Sequence, residues 1–507
     1  MTTAAARVAA IRRLQVLPDS PPFRFRRVPT LPGRVLVTND AGDWTVLAAS
    51  DFQDFVVGRL DRGSKAWQDL ARARMTPGSD TEDLILRYRQ KNDFCFTGPS
   101  LHILAVTLRC NEACAYCHSS KVGMHYPGVD MPLETAEKIV DRAFDSPSRA
   151  IHIEFQGGEP LVAWDTVRYA VEYAEQKNKY RDRDLAFTIV TNLSLMTEDR
   201  MQWLLDHQVM VCTSLDGPKD LHEANRPWAG GSSYDAVVRW MDRFHEEYDR
   251  RGYDTTVARV NALLTVTRAS LGRAKDIVDE YVARGLKAVH LRTLDPFGFA
   301  RPLWGRLGYT ADEFLVFWRE AMDDIVDRNL AGVEILEKTA SIHLTKILTA
   351  RDPNYMDYRS PCGAGIGQIA YNYDGKVYTC DEGRMIGEMG DDLFLMGEIG
   401  KHSYDEMVGG ETVKAIAVAS TLDNQPYCDQ CTYKPYCGVC PAYNYVVQGD
   451  IFGQMTSNDR CKVSMGIQDY MFGRMVEDPT GRVTDVFRKW TEVRDPHATV
   501  PHGGGAG

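Results

Sequence analysis

Cys110-Asn111-Glu112-Ala113-Cys114-Ala115-Tyr116-Cys117 decides the reading of this chain. It follows directly on the apolar run His102–Arg109, a candidate strand. Three thiolates on one loop can hold three irons of a four-iron cluster. A closed cluster takes four cysteines, so the fourth iron stays open to another ligand. A zinc site of these three cysteines completed by His118 or His125 fits the same spacing.

Around this loop the sequence alternates. The candidate strands are His102–Arg109, Ala150–Gln156, Ala186–Thr191, Val209–Leu215, Ala258–Thr265 and Ala288–Arg292. Between them lie helical patterns at Leu133–Asp145, Trp164–Lys179, Glu198–His207, Tyr234–Arg250 and Gly272–Arg284. Strand and helix repeated in this way predict an α/β fold with a parallel sheet and right-handed crossovers. Curled, the sheet becomes a partial (β/α)6 TIM-like barrel with its chemistry at the C-terminal strand ends.

The flanks read differently. Arg34–Thr38 and Trp44–Leu47 form a strand pair around the turn 39–43, with Ser50 or Asp51 capping a helix that carries Phe52, Phe55, Val56 and Leu60. Further helices are expected near 66–74 and 84–91, a winged-helix-like layout. Thr310–Thr349 reads as a helical bridge, and 360–474 is rich in Cys, Gly and Tyr, with short strands at Gln368–Tyr373 and Lys376–Thr379. The expected domains are 1–96, 97–305, 306–358 and 359–475, followed by a tail over 476–507 that ends in a disordered Gly504-Gly505-Ala506-Gly507.

At 507 residues the chain exceeds one core, and 44% hydrophobic with 25% charged residues is ordinary for a globular protein. A net charge of -11 argues against general nucleic-acid or anionic-membrane binding. No apolar run spans a bilayer, and Met1–Leu17 lacks the apolar core of a secretory signal. A cytoplasmic address is expected. In that reducing setting twelve cysteines, clustered in two regions, mean metal or catalysis rather than disulfides. Cys95 and Cys212 read as small buried apolar residues, and His102 and His118 as structural.

Three further motifs carry chemistry. Gly157-Gly158-Glu159-Pro160 follows the second strand; its glycines permit close backbone approach and its carboxylate can accept from an ammonium group. Ser214-Leu215-Asp216-Gly217-Pro218 ends another strand, with Arg226 beyond and Asn192 at the end of the strand before. Read alone, Asp216-Gly217 is a plain turn. The third is the C-terminal set: Cys362, Cys380, Cys428-x2-Cys431-x5-Cys437-x2-Cys440 and Cys461. Seven thiols exceed one tetrahedral zinc site.

The spacing C-x3-C-x-aromatic-C after a first strand resembles the radical S-adenosylmethionine (radical SAM) signature. The resemblance implies a four-iron cluster on Cys110, Cys114 and Cys117, its open iron bound by the amino and carboxylate groups of S-adenosylmethionine (SAM). It also implies that Tyr116 packs near the adenine, that Gly157, Gly158 and Glu159 bind the methionine amino group, and that Ser214 and Arg226 contact ribose and carboxylate with help from Asn192. The downstream cysteines resemble a SPASM domain with two auxiliary four-iron clusters. Cys428, Cys431, Cys437 and Cys461 would close one, and Cys362, Cys380 and Cys440 would hold the other with a ligand unassigned. Two departures stand out: the last pair is spaced by two residues instead of three, and no eighth cysteine lies just upstream of Cys362. Asp381 matches the general base of sulfatase-maturing relatives, and as a turn cap with Gly383 it is equally explicable.

The whole, from Leu101 to Arg474, resembles a radical SAM/SPASM peptide maturase. The segments "PFRFRRVP", "VTNDAGDWTVL" and "FTGPSLHILAVTLRCN" are similar to His-Xaa-Ser system maturases. The implied function is modification of a ribosomally made precursor peptide by 5'-deoxyadenosyl-radical hydrogen abstraction. A carbon–carbon cross-link is the favoured product, and an external low-potential donor of the flavodoxin or ferredoxin type the electron source. The first segment also resembles peptide-recognition modules in which a leader peptide adds a strand, here at an edge near Arg34–Val37; a degenerate structural cap is the alternative. Formylglycine formation by an anaerobic sulfatase maturase, and a non-catalytic iron–sulfur or zinc protein, are the rival functions.

Overall fold

Leu101–Thr107 (β4) shows why a parallel sheet forms: Ile103, Leu104, Ala105, Val106 and Thr107 are all buried, the continuous run of a strand covered on both faces. In the computed structural model, which describes residues 21–353 and 355–493, β4 lies inside a nine-stranded sheet. On one side follow Ala150–Gly157 (β5), Asp184–Val190 (β6), Val209–Ser214 (β7), Asn261–Thr265 (β8) and Leu291–Arg292 (β10), each parallel to its neighbour. Helices Leu133–Phe144, Trp164–Asn178, Glu198–Asp206, Ser233–Arg250 and Ala274–Ala283 connect them. The mostly parallel α/β sheet expected from the alternation is present. Met1–Leu17 and the final glycine-rich residues lie outside the described residues.

Two expected strands are shorter than the apolar pattern. Ala258–Thr265 begins only at Asn261, because Val257 and Ala258 turn their amides onto the Asp254 carbonyl. Ala288–Arg292 is two strands. Ala288–Val289 (β9) pairs with Leu336–Glu337 (β11), whereas Leu291–Arg292 pairs with β8. The Arg292 amide donates to the His290 carbonyl at 2.8 Å, a tight turn that hands the chain from one neighbour to another.

On its other side β4 takes Gln368–Tyr371 (β12) as a parallel neighbour, and Lys376–Tyr378 (β13) and Leu395–Glu398 (β14) extend the sheet antiparallel. The cysteine-rich region therefore continues the sheet of the middle segment, a pairing that local periodicity does not announce.

At the N-terminus Arg24–Arg26 (β1), Arg34–Thr38 (β2) and Trp44–Ala48 (β3) form a separate antiparallel sheet in the order β1-β2-β3. Its core is Val35, Val37, Leu47, Phe52, Phe55, Leu70 and Met75. Two expectations need correction. The helix starts at Ala49 with Ala48 as its cap, so Ser50 and Asp51 fall inside its first turn. And β2 is no free edge: β1 pairs with Leu36, Val37 and Thr38, taking the hydrogen bonds that an incoming strand would need there. Arg24 and Arg26 also reach the cysteine-rich region, donating to the Asp429 carbonyl and to Asp469.

Helix Asp459–Val476 packs along helix Ala311–Leu330, with Tyr470 edge-on to Trp318 at 5.4 Å. Beyond it the expected tail is not wholly a tail. Arg482–Lys489 is a helix whose Val486 and Phe487, with Trp490 after it, join the main core. Its amphipathic spacing, Val483-Val486-Phe487-Trp490, was the available signal. Phe487→Ala should therefore cost about 3–5 kcal/mol, seen as a lowered urea midpoint; an unchanged midpoint would mean that this segment is dispensable.

Candidate functional site

The cysteine loop follows β4 and is held from both sides. The Cys110 amide donates to Val122, Ala113 to Pro227 and Ala115 to Asn225, tying it to segments far along the chain. Cys110, Cys114 and Cys117 then face one cavity of about 470 Å³ at the C-terminal ends of the strands, lined also by Tyr116, Gly157, Gly158, Asn192, Ser214 and Arg226. The same cavity is lined by Cys362, Cys380, Cys440 and Asp381. A second, smaller cavity of about 70 Å³ is lined by Cys428, Cys431, Cys437 and Cys461, and Cys440 borders both.

Burial pushes the thiols up: Cys110, Cys362 and Cys461 each to about 12, and Cys114, Cys380, Cys428 and Cys440 upward as well. Thiols pushed up in this way stay protonated unless a cation stabilises the thiolate, as ligation to a metal does. Among the described residues, no three His, Cys, Asp or Glu side chains converge on a point where a single ion would sit. The sulfurs ring cavities instead, a donor set suited to polynuclear groups.

The two glycines are required by packing. A Cβ on Gly157, at φ +134°, would meet the Thr107 carbonyl at 2.1 Å, and one on Gly158 the Arg109 carbonyl at 2.3 Å. They let the end of β5 close on the end of β4. Glu159, expected to meet an ammonium group, is turned away from the cavity. Its buried carboxylate accepts from the Leu161 amide at 3.0 Å, the Thr191 hydroxyl at 2.6 Å and the Asn192 amide at 2.8 Å. It is saturated, and it serves to fix the loop that carries Asn192. The Asn192 side chain in turn donates to Asn111 at 3.0 Å, inside the cysteine loop.

Asp216, read from the sequence as part of a turn, is a centre of the site. Fully buried, it accepts from the Tyr116 hydroxyl at 2.9 and 2.7 Å, from Arg226 Nε at 3.0 Å and from the Thr265 amide at 3.3 Å. Arg226 lies over the Tyr116 ring at 5.2 Å, with Nη1 3.7 Å from Cys114 Sγ and 4.0 Å from Glu112. Glu112 is buried with Oε1 unpartnered among the described residues, and burial pushes its carboxyl up to about 7. An acceptor with no donor beside three thiols fits a cationic ligand such as an ammonium.

Across the cavity, Asp381 begins helix Asp381–Glu388 and is fixed by Arg384 Nε at 2.7 Å. Arg292 ends β10 and faces Glu382 at 3.5 Å. Arg460 donates to Asp295 at 2.7 Å and to Asp357 at 3.0 Å, joining the two cavities. Arg292, Asp295 and Asp357 were not singled out from sequence; for Arg292 the signal was a charged residue closing an apolar strand. Cys212 is buried and His118 half-buried, and both line the cavity, while Cys95 is half-buried. No described helix is long and apolar enough to cross a membrane.

Residues 104–291 match the model of the Radical SAM superfamily. The cysteine-type anaerobic sulfatase-maturating enzyme of Clostridium novyi (strain NT) is 23% identical over 360 residues, 67% of this chain and 86% of its own length. A solved structure of native anSMEcpe with bound AdoMet and Cp18Cys peptide superposes with a TM-score of 0.61 at 19% identity, covering 77% of this chain and 100% of that one. Streptococcus suis SuiB bound to precursor peptide SuiA gives 0.51 at 13% identity, covering 87% and 98%. The structural likenesses are likenesses of fold.

Asp216→Asn should destabilise the protein by about 3–5 kcal/mol, because it leaves the buried Arg226 charge facing Glu112 alone. Chemical denaturation checks this, and D216N combined with R226M should lose less than the sum of the single changes.

Proposed function

We propose that this chain, whose residues 104–291 match the model of the radical SAM superfamily, abstracts hydrogen from a ribosomally made peptide held in the central cavity and thereby modifies it. The observation that carries this reading is the shared cavity: Cys110, Cys114 and Cys117 line it together with Cys362, Cys380 and Cys440. A side chain lodged there would lie between two iron–sulfur groups. Cys110, Cys114 and Cys117 would hold the group that binds SAM, and Cys362, Cys380 and Cys440 a second. Cys428, Cys431, Cys437 and Cys461 would hold a third around the smaller cavity. When bound, the first group and SAM supply one-electron reduction and 5'-deoxyadenosyl-radical hydrogen abstraction.

The protein's own residues do the rest. Glu112, with its unpartnered oxygen, and the Gly157-Gly158 backbone would receive the methionine ammonium. Arg226, locked by Asp216, would meet the carboxylate, and Ser214 and Asn192 would meet the ribose. Tyr116, held by the same aspartate, would pack beside the adenine. Asp381, anchored by Arg384 and facing the cavity, would take the proton released when the substrate carbon is oxidised. Electrons would enter from an external low-potential donor of the flavodoxin or ferredoxin type.

The peptide class is supported by anSMEcpe and SuiB, whose solved structures hold peptides. An intrapeptide carbon–carbon cross-link is the preferred product, from the His-Xaa-Ser-like N-terminal segments. The sulfatase-maturating relatives favour a second product, formylglycine. One anaerobic experiment separates them: reconstituted protein, SAM, dithionite, and peptides encoded beside its gene. A peptide lighter by two hydrogens and inert to hydrazine reagents is expected. An aldehyde trapped by hydrazine would establish formylglycine, and failure to release 5'-deoxyadenosine with any peptide would overturn the enzyme reading.

A further inference from the structure

Arg359 carries a positive charge into the interior with no ion pair or hydrogen bond to answer it among the described residues. Its side chain is fully buried, and Nε, Nη1 and Nη2 all lack a hydrogen-bond partner there. Several other buried cations among the described residues are answered. Arg226 has Asp216, Arg460 has Asp295 and Asp357, and Lys346 has Asp352 and the Tyr358 carbonyl. The Arg359 guanidinium carbon stands 3.9 Å from the centroid of the Phe94 ring. That cation–π contact returns only part of the hydration lost by a desolvated charge.

What Arg359 does face is the loop of Cys362. It precedes Cys362 by three residues, and its guanidinium lies against the glycines that follow. A Cβ on Gly363 would come within 3.0 Å of Nη2, and one on Gly367 within 2.2 Å. Its main chain packs on Gly438, where a Cβ would stand 2.4 Å from the Arg359 nitrogen. Gly438 lies between Cys437 and Cys440, so the Arg359 main chain stands beside both cysteine sets while its guanidinium lies against the Cys362 loop. The Cys362 and Cys95 thiols and Asp352 are in electrostatic reach, and Asp352 is engaged by Lys346.

We propose that Arg359 is a positioning residue for electrons: its buried charge raises the reduction potential of the iron–sulfur group on Cys362, Cys380 and Cys440. This rests on the reading above that those three thiolates hold such a group. A fixed cation in a poorly solvated setting favours the state with one more negative charge. On reduction the group itself gains one electron with no bond or proton change of its own; in the proposed reaction the proton lost by the oxidised substrate carbon goes to Asp381. The electron comes from the substrate carbon radical in the proposed reaction, and from dithionite in the test.

The test uses full-length, iron- and sulfide-reconstituted protein in which Cys110, Cys114 and Cys117 are alanine, so that only the downstream groups are read. Dithionite titration is followed by electron paramagnetic resonance, and the signal of interest is the one that C362A and C380A abolish. Arg359→Met should lower its reduced-to-oxidised ratio at least tenfold at a fixed potential, about 59 mV for one electron. Arg359→Lys should keep the native value, and the signal of the Cys428 set should hold steady. An unchanged potential in R359M with full iron content overturns the proposal. If R359M does not fold, R359K and R359Q are titrated instead, and equal potentials for the two overturn it. If no signal depends on Cys362 and Cys380 even with Arg359 in place, the reading of those cysteines has failed and takes the proposal with it.

Discussion

Parallel pairing of β12 with β4, from Gln368 opposite Leu101 to Tyr371 opposite Leu104, is the constraint on which the site depends. It is reinforced by the buried His102–Tyr371 contact at 3.1 Å. Cys110 leaves the end of β4, while Cys362 lies before β12 and Cys380 follows β13. Joining these strands edge to edge therefore brings two cysteine sets, distant in sequence, to one cavity. Without that pairing each set would be a separate cysteine loop, and the two would share no cavity.

Charge is arranged around this cavity as carefully as sulfur. Asp216 ties Tyr116, Arg226 and the β8 end into one buried network behind Cys114. Arg460, next to Cys461, bonds Asp295 and Asp357 and so couples the smaller cavity to the larger. Each pair is costly to bury and more costly to break, which makes the positions rigid. Rigid charges held out of water set the electrostatics of whatever is bound, and Arg359, whose guanidinium has no hydrogen-bond partner among the described residues, belongs to the same pattern.

Much of this was legible in the residues. Thiol spacing identified ten of the eleven cysteines that line the two cavities as candidate ligands, Cys212 being the exception, and the apolar runs located the parallel strands to within a few residues. What failed did so for physical reasons. Glu159 was read as an acceptor for an ammonium group because nothing local shows that the Thr191 hydroxyl and two backbone amides bond its carboxylate. Asp216 looked like a turn residue because its three partners come from three other segments. The open edge expected near Arg34–Val37 is partly covered by β1, a three-residue strand too short to carry a period-two pattern.

By itself the sequence determined the inventory of candidate ligands, the order of strands and helices, and the likeness to radical SAM peptide maturases, because these depend on residue type and local spacing. Only the tertiary structure decided which cysteines share a cavity, which charges are neutralised, and which buried cation is left over. Those outcomes depend on contacts such as Arg460–Asp295 and Gln368–Leu101, whose partners lie far apart in sequence. No periodicity of a single segment encodes them; they follow from how the segments pack.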